Sequence, residues 1–270
     1  MPSTYISTYN QYQPADQQSK CKIINLFQDD NYLINDTNTI TAPAHKASKP
    51  SKELKTGVTL QHTAVDPIKD IADINAAKQY FLSKDERYKD SSLNIRNYAF
   101  FVLACNCARR TSDILSFTIS DVTASDGTIR DYIIFREGKT KKVSGKVFLN
   151  NSVQEALTRY LATRNKDTLT PESMLFLSRE GNNKSIDRSQ AWLIMKNMGN
   201  AIGLTAKGVI VGTYTCRKSF GYHALKNNPN DSMYINTLMQ AYKHSSPAMT
   251  LHYVGIQDEE MKKLYMSVEL

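Results

Sequence analysis

After Val65 the apolar residues of this chain repeat at helical spacing almost everywhere, and they switch to strand spacing in one short block. That single interruption limits the fold more than any other feature of the sequence. Ile71, Ile74, Ala77, Tyr80 and Phe81 fall on one helical face, with Asp70 or Asp73 available as N-cap. Ile95, Tyr98, Ala99, Val102 and Leu103 predict a second, more buried helix, and Ile114, Leu115 and Phe117 a short one opened by the hydroxyls of Thr111 and Ser112. The block from Asp131 to Arg136 is then β-branched and aromatic, as is Val143 to Leu149. Gly138-Lys139-Thr140-Lys141-Lys142 joins the two as a turn, so the pair reads as a hairpin with a strongly basic tip. One hairpin among helices makes the expected fold mainly α with a small antiparallel β-sheet, an α+β chain.

Helical spacing returns after the hairpin. Ser152-Val153-Gln154-Glu155 reads as a capping box opening a helix whose core face is Val153, Ala156, Leu157, Tyr160 and Leu161. A helix from about Asp187 to Ile202 turns Trp192, Met195, Met198 and Ile202 inward and stops at Gly203. Further helices are expected over 215–227, over 231–243 with Asp231 as cap, over 247–253 with Ser246-Pro247 as cap and first position, and over 258–266. Residues 1–60 differ in kind. They are rich in Gln, Asn, Asp, Ser and Thr around one apolar knot at Ile23 to Phe27, and Thr41 to Lys55 reads as a linker.

Net charge is +8 over 270 residues, the sign expected of a partner made of phosphates. The four cysteines form no disulfide framework, and the five histidines show no metal-ligand spacing. Cys105 and Cys107 point to different sides of one helix, while Cys21 and Cys216 have no partner suggested by spacing; all four read as structural or incidental thiols. No apolar run is long enough to span a bilayer and no secretory leader opens the chain, so a cytoplasmic protein without membrane partners is expected.

The chemistry sits in two regions. Thr213 to Ser219 holds Tyr214, Arg217 and Lys218, and Lys243-His244-Ser245-Ser246 precedes Tyr253. Guanidinium grips phosphate in a fixed fork, imidazole moves a proton near neutral pH, and a phenol is a nucleophile once activated. Upstream, Ala108-Arg109-Arg110-Thr111-Ser112-Asp113-Ile114-Leu115 offers two more arginines.

Together these segments resemble the tyrosine recombinases, the integrase family. An arginine before a hydroxylated residue, an acid and two aliphatics is similar to that family's first signature, and aligning the acid and aliphatics puts its first catalytic arginine at Arg110 rather than Arg109. Arg217-Lys218-Ser219 resembles the segment of the second arginine. Lys243-His244-Ser245-Ser246 resembles a Gly-His-Ser-Ser box with Lys in place of Gly, and Tyr253 lies nine residues beyond His244, the family's spacing from histidine to nucleophile. The resemblance covers about residues 65–265. It implies that Arg110, Arg217 and His244 hold the phosphate, that Tyr253 attacks it to give a 3′-phosphotyrosine, and that Lys139 protonates the leaving 5′-oxygen. Lys141, Lys142, Lys218 and Lys243 become DNA contacts. No metal, cofactor or ATP is implied, because the phosphotyrosyl bond conserves the energy of the bond broken.

Two departures stand out. Tyr214 occupies the place of a family histidine, and a phenol donates a hydrogen bond but is no base at neutral pH. The polar residues 1–60 are too few and too poor in apolar periodicity to build the helical clamp that family members carry before the catalytic domain. A polar, flexible segment and linker over 1–60 and a catalytic domain over 61–270 are therefore expected. The leading expectation is a site-specific recombinase acting on double-stranded DNA, as a homo-tetramer on paired sites, nucleoid-associated when bound. The alternative is a catalytically impaired DNA-binding relative that assists a full-length recombinase. A swivelase of the topoisomerase IB kind shares the chemistry, whereas a rolling-circle nuclease would want a paired-histidine metal site.

Overall fold

The structure, a computed structural model, describes residues 65–83, 91–136, 143–229 and 231–268. The segment over 1–60 and the hairpin tip with Lys139, Lys141 and Lys142 lie outside the described residues. The element order is the expected one with one addition, a single-turn helix at Ile119–Val122. Helices α1 (Ile71–Leu82), α2 (Ser91–Asn106), α3 (Thr111–Ile114) and α4 (Ile119–Val122) precede the hairpin of β1 (Tyr132–Arg136) and β2 (Val143–Phe148). Helices α5 (Asn151–Leu161), α6 (Arg188–Ala201), α7 (Thr215–Lys226), α8 (Ser232–Tyr242), α9 (Pro247–Val254) and α10 (Ile256–Met266) follow.

Helix α2 is central among the described elements. Ala99, Phe100, Phe101, Val102, Leu103 and Ala104 are all buried, so its second half is apolar on every side, while its first half buries Asn94, Arg96 and Asn97; it packs against α1, α5 and α7. The hairpin lays Ile133, Phe135 and Val147 on this core and turns Ile134 and Phe148 to solvent, in a register pairing Tyr132 with Phe148 and Ile134 with Lys146. A second, smaller cluster of Ala108, Tyr222, Leu225, Leu238, Tyr242 and Val254 lies under α7, α8 and α9. The strand-like stretch ahead of α1 crosses the back of α7. Ile68 N–H donates to Ser219 Oγ at 2.7 Å, Ile68 O meets His223 Nε2 at 2.9 Å, and Asp66 pairs with Ile210 through both backbone and carboxylate.

Several local expectations need correction. Helix α5 is capped by Asn150, whose side chain accepts from Val153 N–H at 3.1 Å, so it opens one residue before Ser152 and needs no Ser152–Glu155 box. Trp192 and Ile71 are exposed, not inward. In α6 the buried face is Ala191, Met195, Met198 and Gly199, and a Cβ at Gly199 would stand 2.8 Å from Val211. Gly199 lets the Val211 side chain press against the helix backbone there, and Trp192, one position on from Ala191, is rotated out of the buried face. Thr111 does not cap α3; its hydroxyl donates instead to Thr213 O at 2.6 Å. Helix α10 starts at Ile256, two residues before the expected position, because Gly255 turns left-handed (φ 77°) between α9 and α10. Cys216 has sulfur neighbours after all, with Met195 Sδ at 3.8 Å.

Candidate active site

Four elements, α3, α7, α8 and α9, deliver the site, each through a local rule. Helix α7 opens on the Gly212-Thr213-Tyr214 turn, where Gly212 N–H donates to Thr215 Oγ1 at 3.0 Å. The Thr111 hydroxyl, bonded to Thr213 O, ties the start of α3 to this turn and so brings Arg110 beside α7. Ala108, in the left-handed region at φ 54°, bends the chain just before the two arginines. They then part company. The Arg109 guanidinium lies over the Phe135 ring at 4.3 Å, facing the hairpin. Arg110 is exposed, and its charge is felt at both His244 and Tyr253.

Arg217 sits in the first turn of α7 and is only 5% exposed. Its Nη2 donates to Tyr242 O at 3.0 Å, its guanidinium covers the Tyr242 ring at 4.4 Å, and the Tyr242 hydroxyl donates back to Arg217 O. Among the described residues no carboxylate pairs with it. A buried cation without an anion is costly, and here the backbone and an aromatic face hold it ready for a ligand of opposite charge.

Helix α8 ends at Tyr242, and Lys243 takes the left-handed cap conformation (φ 58°, ψ 42°) with its N–H on Gln240 O and the His244 N–H on Met239 O. This is the position where the resemblance places Gly. The sharp turn swings His244 back against α9, which Ser246 caps and Pro247 opens. The His244 and Tyr253 ring centroids are 5.0 Å apart, edge to face, and Tyr242 lies 5.4 Å from Tyr253. Lys218 Nζ stands 5.2 Å over the Tyr253 ring. His244 Nδ1 meets Thr250 Oγ1 at 3.1 Å.

The Tyr253 hydroxyl is buried and makes no hydrogen bond of good geometry among the described residues, although the Arg217 guanidinium stands close enough to act on it as a donor. Burial pushes its pKa up; Arg217, and more weakly Arg110, draw it partly back, while the Tyr214 phenol adds to the rise. His244 is shifted down from the usual histidine range by burial first, then by Arg217 and Arg110. Tyr214, 37% exposed at the N-cap of α7, stands near enough to Tyr253 to be felt there. Arg110, Tyr214, Arg217, Lys218, His244 and Tyr253 are thus gathered around one phenol, with Lys243 exposed at the adjoining helix end. Tyr242, Thr250 and Thr111 also build this site. No sequence signal marks them, because a buried tyrosine or threonine is ordinary core material until its partners are seen.

The sequence matches the profile of the phage integrase family over residues 69–260. The chain belongs to that family. This integrase is 32% identical over 201 residues to the probable integrase/recombinase YoeC of Bacillus subtilis (strain 168), covering 74% of this chain and 95% of that protein. It is 26% identical over 186 residues to the tyrosine recombinase XerD of Staphylococcus epidermidis (strain ATCC 35984), covering 68% of this chain and 56% of the relative, so it spans little more than half of that protein. Among solved structures, XerA recombinase superposes with a TM-score of 0.54 at 21% identity, over 75% of this chain and 65% of the other. XerH recombinase in a post-cleavage complex with a palindromic difH substrate gives 0.57 at 15% identity, over 77% and 57%. These likenesses show the catalytic-domain fold of tyrosine recombinases. They place the integrase among enzymes of DNA strand cleavage and rejoining, and the reading as an impaired regulator is not favoured. Among the described residues no helix is long and apolar enough to cross a membrane.

Proposed function

We propose that this integrase cleaves and rejoins double-stranded DNA at specific sites through a 3′-phosphotyrosyl link formed by Tyr253. The observation that supports this reading best is the pairing of a buried phenol with a buried guanidinium, the first making no hydrogen bond of good geometry and the second pairing with no carboxylate among the described residues. Each lacks the ligand that a phosphodiester supplies. Arg110 and Arg217 present forked donors to the non-bridging oxygens, and their charge counters what develops on phosphorus in the transition state. Tyr214 adds a phenolic donor where the family has histidine, and His244 completes the wall. Lys139 on the hairpin tip is the acid for the 5′-oxygen, and Lys141, Lys142, Lys218 and Lys243 contact flanking phosphates. Residues 61–270 act as the catalytic domain and 1–60 as a polar tether. The working assembly is a homo-tetramer on paired DNA sites in the cytoplasm, on the nucleoid.

A nicked suicide substrate carrying a candidate site tests this. The 5′-fragment leaves on cleavage, so the covalent protein–DNA adduct accumulates. Adduct is expected with the unaltered protein and with Tyr214→Phe, and none with Tyr253→Phe. Adduct that survives Tyr253→Phe would overturn the assignment of the nucleophile, and supercoil relaxation without recombinant product would point to a swivelase instead.

A further inference from the structure

Tyr242, the last residue of α8, is 1% exposed and carries a phenol that the cleavage chemistry does not consume. Burying a phenol is costly unless its hydroxyl is bonded. Here the hydroxyl donates to Arg217 O and meets the Gly221 N–H. Those two backbone groups stand at i and i+4 in α7, the pair that closes one rung of a regular helix. The hydroxyl therefore sits at the rung that starts on the carbonyl of Arg217 itself. It reaches that rung because Gly221 has no Cβ; one there would lie 2.5 Å from the hydroxyl and 3.1 Å from Cε2 of the ring. Burial holds the phenol well above the usual tyrosine range, so it stays a neutral donor. Tyr242 also grips the far end of the arginine. Nη2 donates to Tyr242 O at 3.0 Å, and the guanidinium lies 4.4 Å from the ring centroid. The same ring stands 5.2 Å from His244 and 5.4 Å from Tyr253, centroid to centroid.

We infer that Tyr242 is a positioning residue for strand cleavage: its hydroxyl fixes the α7 backbone at Arg217, and its carbonyl and ring face aim the guanidinium at the phosphate beside Tyr253. This rests on the recombinase reading. Tyr242 exchanges no proton with the substrate; it acts through Arg217. The choice of partner matters. A carboxylate would fix the arginine by taking the forked pair of N–H groups that a phosphate needs. One carbonyl takes a single donor and a ring face takes none, which leaves the remaining N–H groups for the phosphate. An arginine held at both its backbone and its tip is already aimed before DNA arrives, and donors aimed in advance need no reorganisation as charge develops on phosphorus. The sensitivity is high, since a displacement of about 1 Å in a group of this kind can cost about 10²-fold in rate.

Two measurements test the inference, one of them independent of activity. In nitrogen-15 NMR of the full chain without DNA, a clamped guanidinium gives separate Nη signals, whereas a freely turning one averages them. Arg217, identified by the signals lost in Arg217→Lys, should show separate signals in the unaltered protein. They should merge in Tyr242→Leu, which removes ring and hydroxyl together. Tyr242→Phe, which removes the hydroxyl alone, should draw them closer and carries the comparison if the leucine variant does not fold. Signals unchanged in the folded variants would overturn the clamp. The second measurement is a double-mutant cycle on the rate of single-turnover adduct formation, with the nicked substrate saturating and amplitude read apart from rate. Tyr242→Phe should slow cleavage roughly ten- to a hundredfold while DNA affinity holds. In the Arg217→Lys background the same change should have little further effect, because no fork is left to aim. Equal slowing in both backgrounds would make Tyr242 merely structural, and no slowing by Tyr242→Phe would equally overturn the role. If the unaltered protein forms no adduct on any site, the recombinase reading fails and the cleavage role with it. The NMR comparison then still decides whether Tyr242 holds Arg217.

Discussion

At Tyr253 stability and function pull in opposite directions. Its hydroxyl is buried without a hydrogen bond of good geometry among the described residues, and an unsatisfied buried donor costs on the order of 1–3 kcal/mol. Tyr253→Phe removes that group with almost no change of shape. Thermal melts should find the variant as stable as the parent or more so, by up to about 1 kcal/mol, while covalent adduct disappears. Lys243 shows the same tension. A side chain in the left-handed region is strained by about 1 kcal/mol relative to glycine, so Lys243→Gly should raise the melting temperature. If Lys243 also holds a phosphate, the same change should lower DNA affinity and make the log–log salt slope shallower by about 1. Aligning the acid and aliphatics that follow favours Arg110 over Arg109 as the phosphate-holding arginine. The stacking of Arg109 on Phe135 adds a physical reason, since a guanidinium committed to the hairpin is turned away from His244 and Tyr253.

Among the elements, the crossing of α7, α8 and α9 decides the site. Gly221 makes it possible: a Cβ there would meet the Tyr242 hydroxyl at 2.5 Å and Val254 Cγ1 at 2.6 Å, both buried. Gly221→Ala should destabilise the protein by about 1–3 kcal/mol, read in urea denaturation. It should also slow adduct formation, because pushing Tyr242 away moves the carbonyl that holds Arg217. Most helices and their order were legible in the sequence, as were the caps at Asp231 and Ser246; Asp70 was one of two candidates, and the short α4 and the capping role of Asp187 were not foreseen. Helix facing was less so. Trp192 reads as core by size, yet the buried face of α6 is Ala191, Met195, Met198 and Gly199, with Val211 seated on the glycine, and only the packed structure reveals that rotation.

On the scale of the whole molecule, the net charge of +8 predicts DNA binding that weakens steeply with salt, by about 0.9 log units per log of salt for each phosphate neutralised. A filter-binding series in rising salt checks this, and a flat profile would count against an electrostatic footprint. Stability should also narrow at both ends of the pH scale. Below the ordinary histidine range the unfolded chain takes up a proton that folded His244 resists, so stability falls as pH falls. Above the usual cysteine value of 9.0 the unfolded chain releases a proton that folded Cys107, pushed up to about 12 by burial, retains, so stability falls as pH rises. Melting temperatures across the range should show both limbs, and Cys107→Ala should make the alkaline one shallower, the remainder coming from buried Cys216, Tyr242 and Tyr253, which are also raised. Residues 65–265 carry their family likeness openly, because an arginine fork, an imidazole and a phenol are needed by the chemistry and their spacing follows helix length. The amino-acid order by itself therefore determined the helical fold with one hairpin, and it pointed to Arg110, Arg217, His244 and Tyr253, which the structure brings near one another. Only the tertiary structure decided what surrounds them: the carbonyl and ring of Tyr242 under Arg217, the Thr250 hydroxyl behind His244, and the buried phenol. Those are contacts between different elements or across helix turns, and hydrophobic periodicity encodes which residues are buried without saying which polar atoms meet once they are.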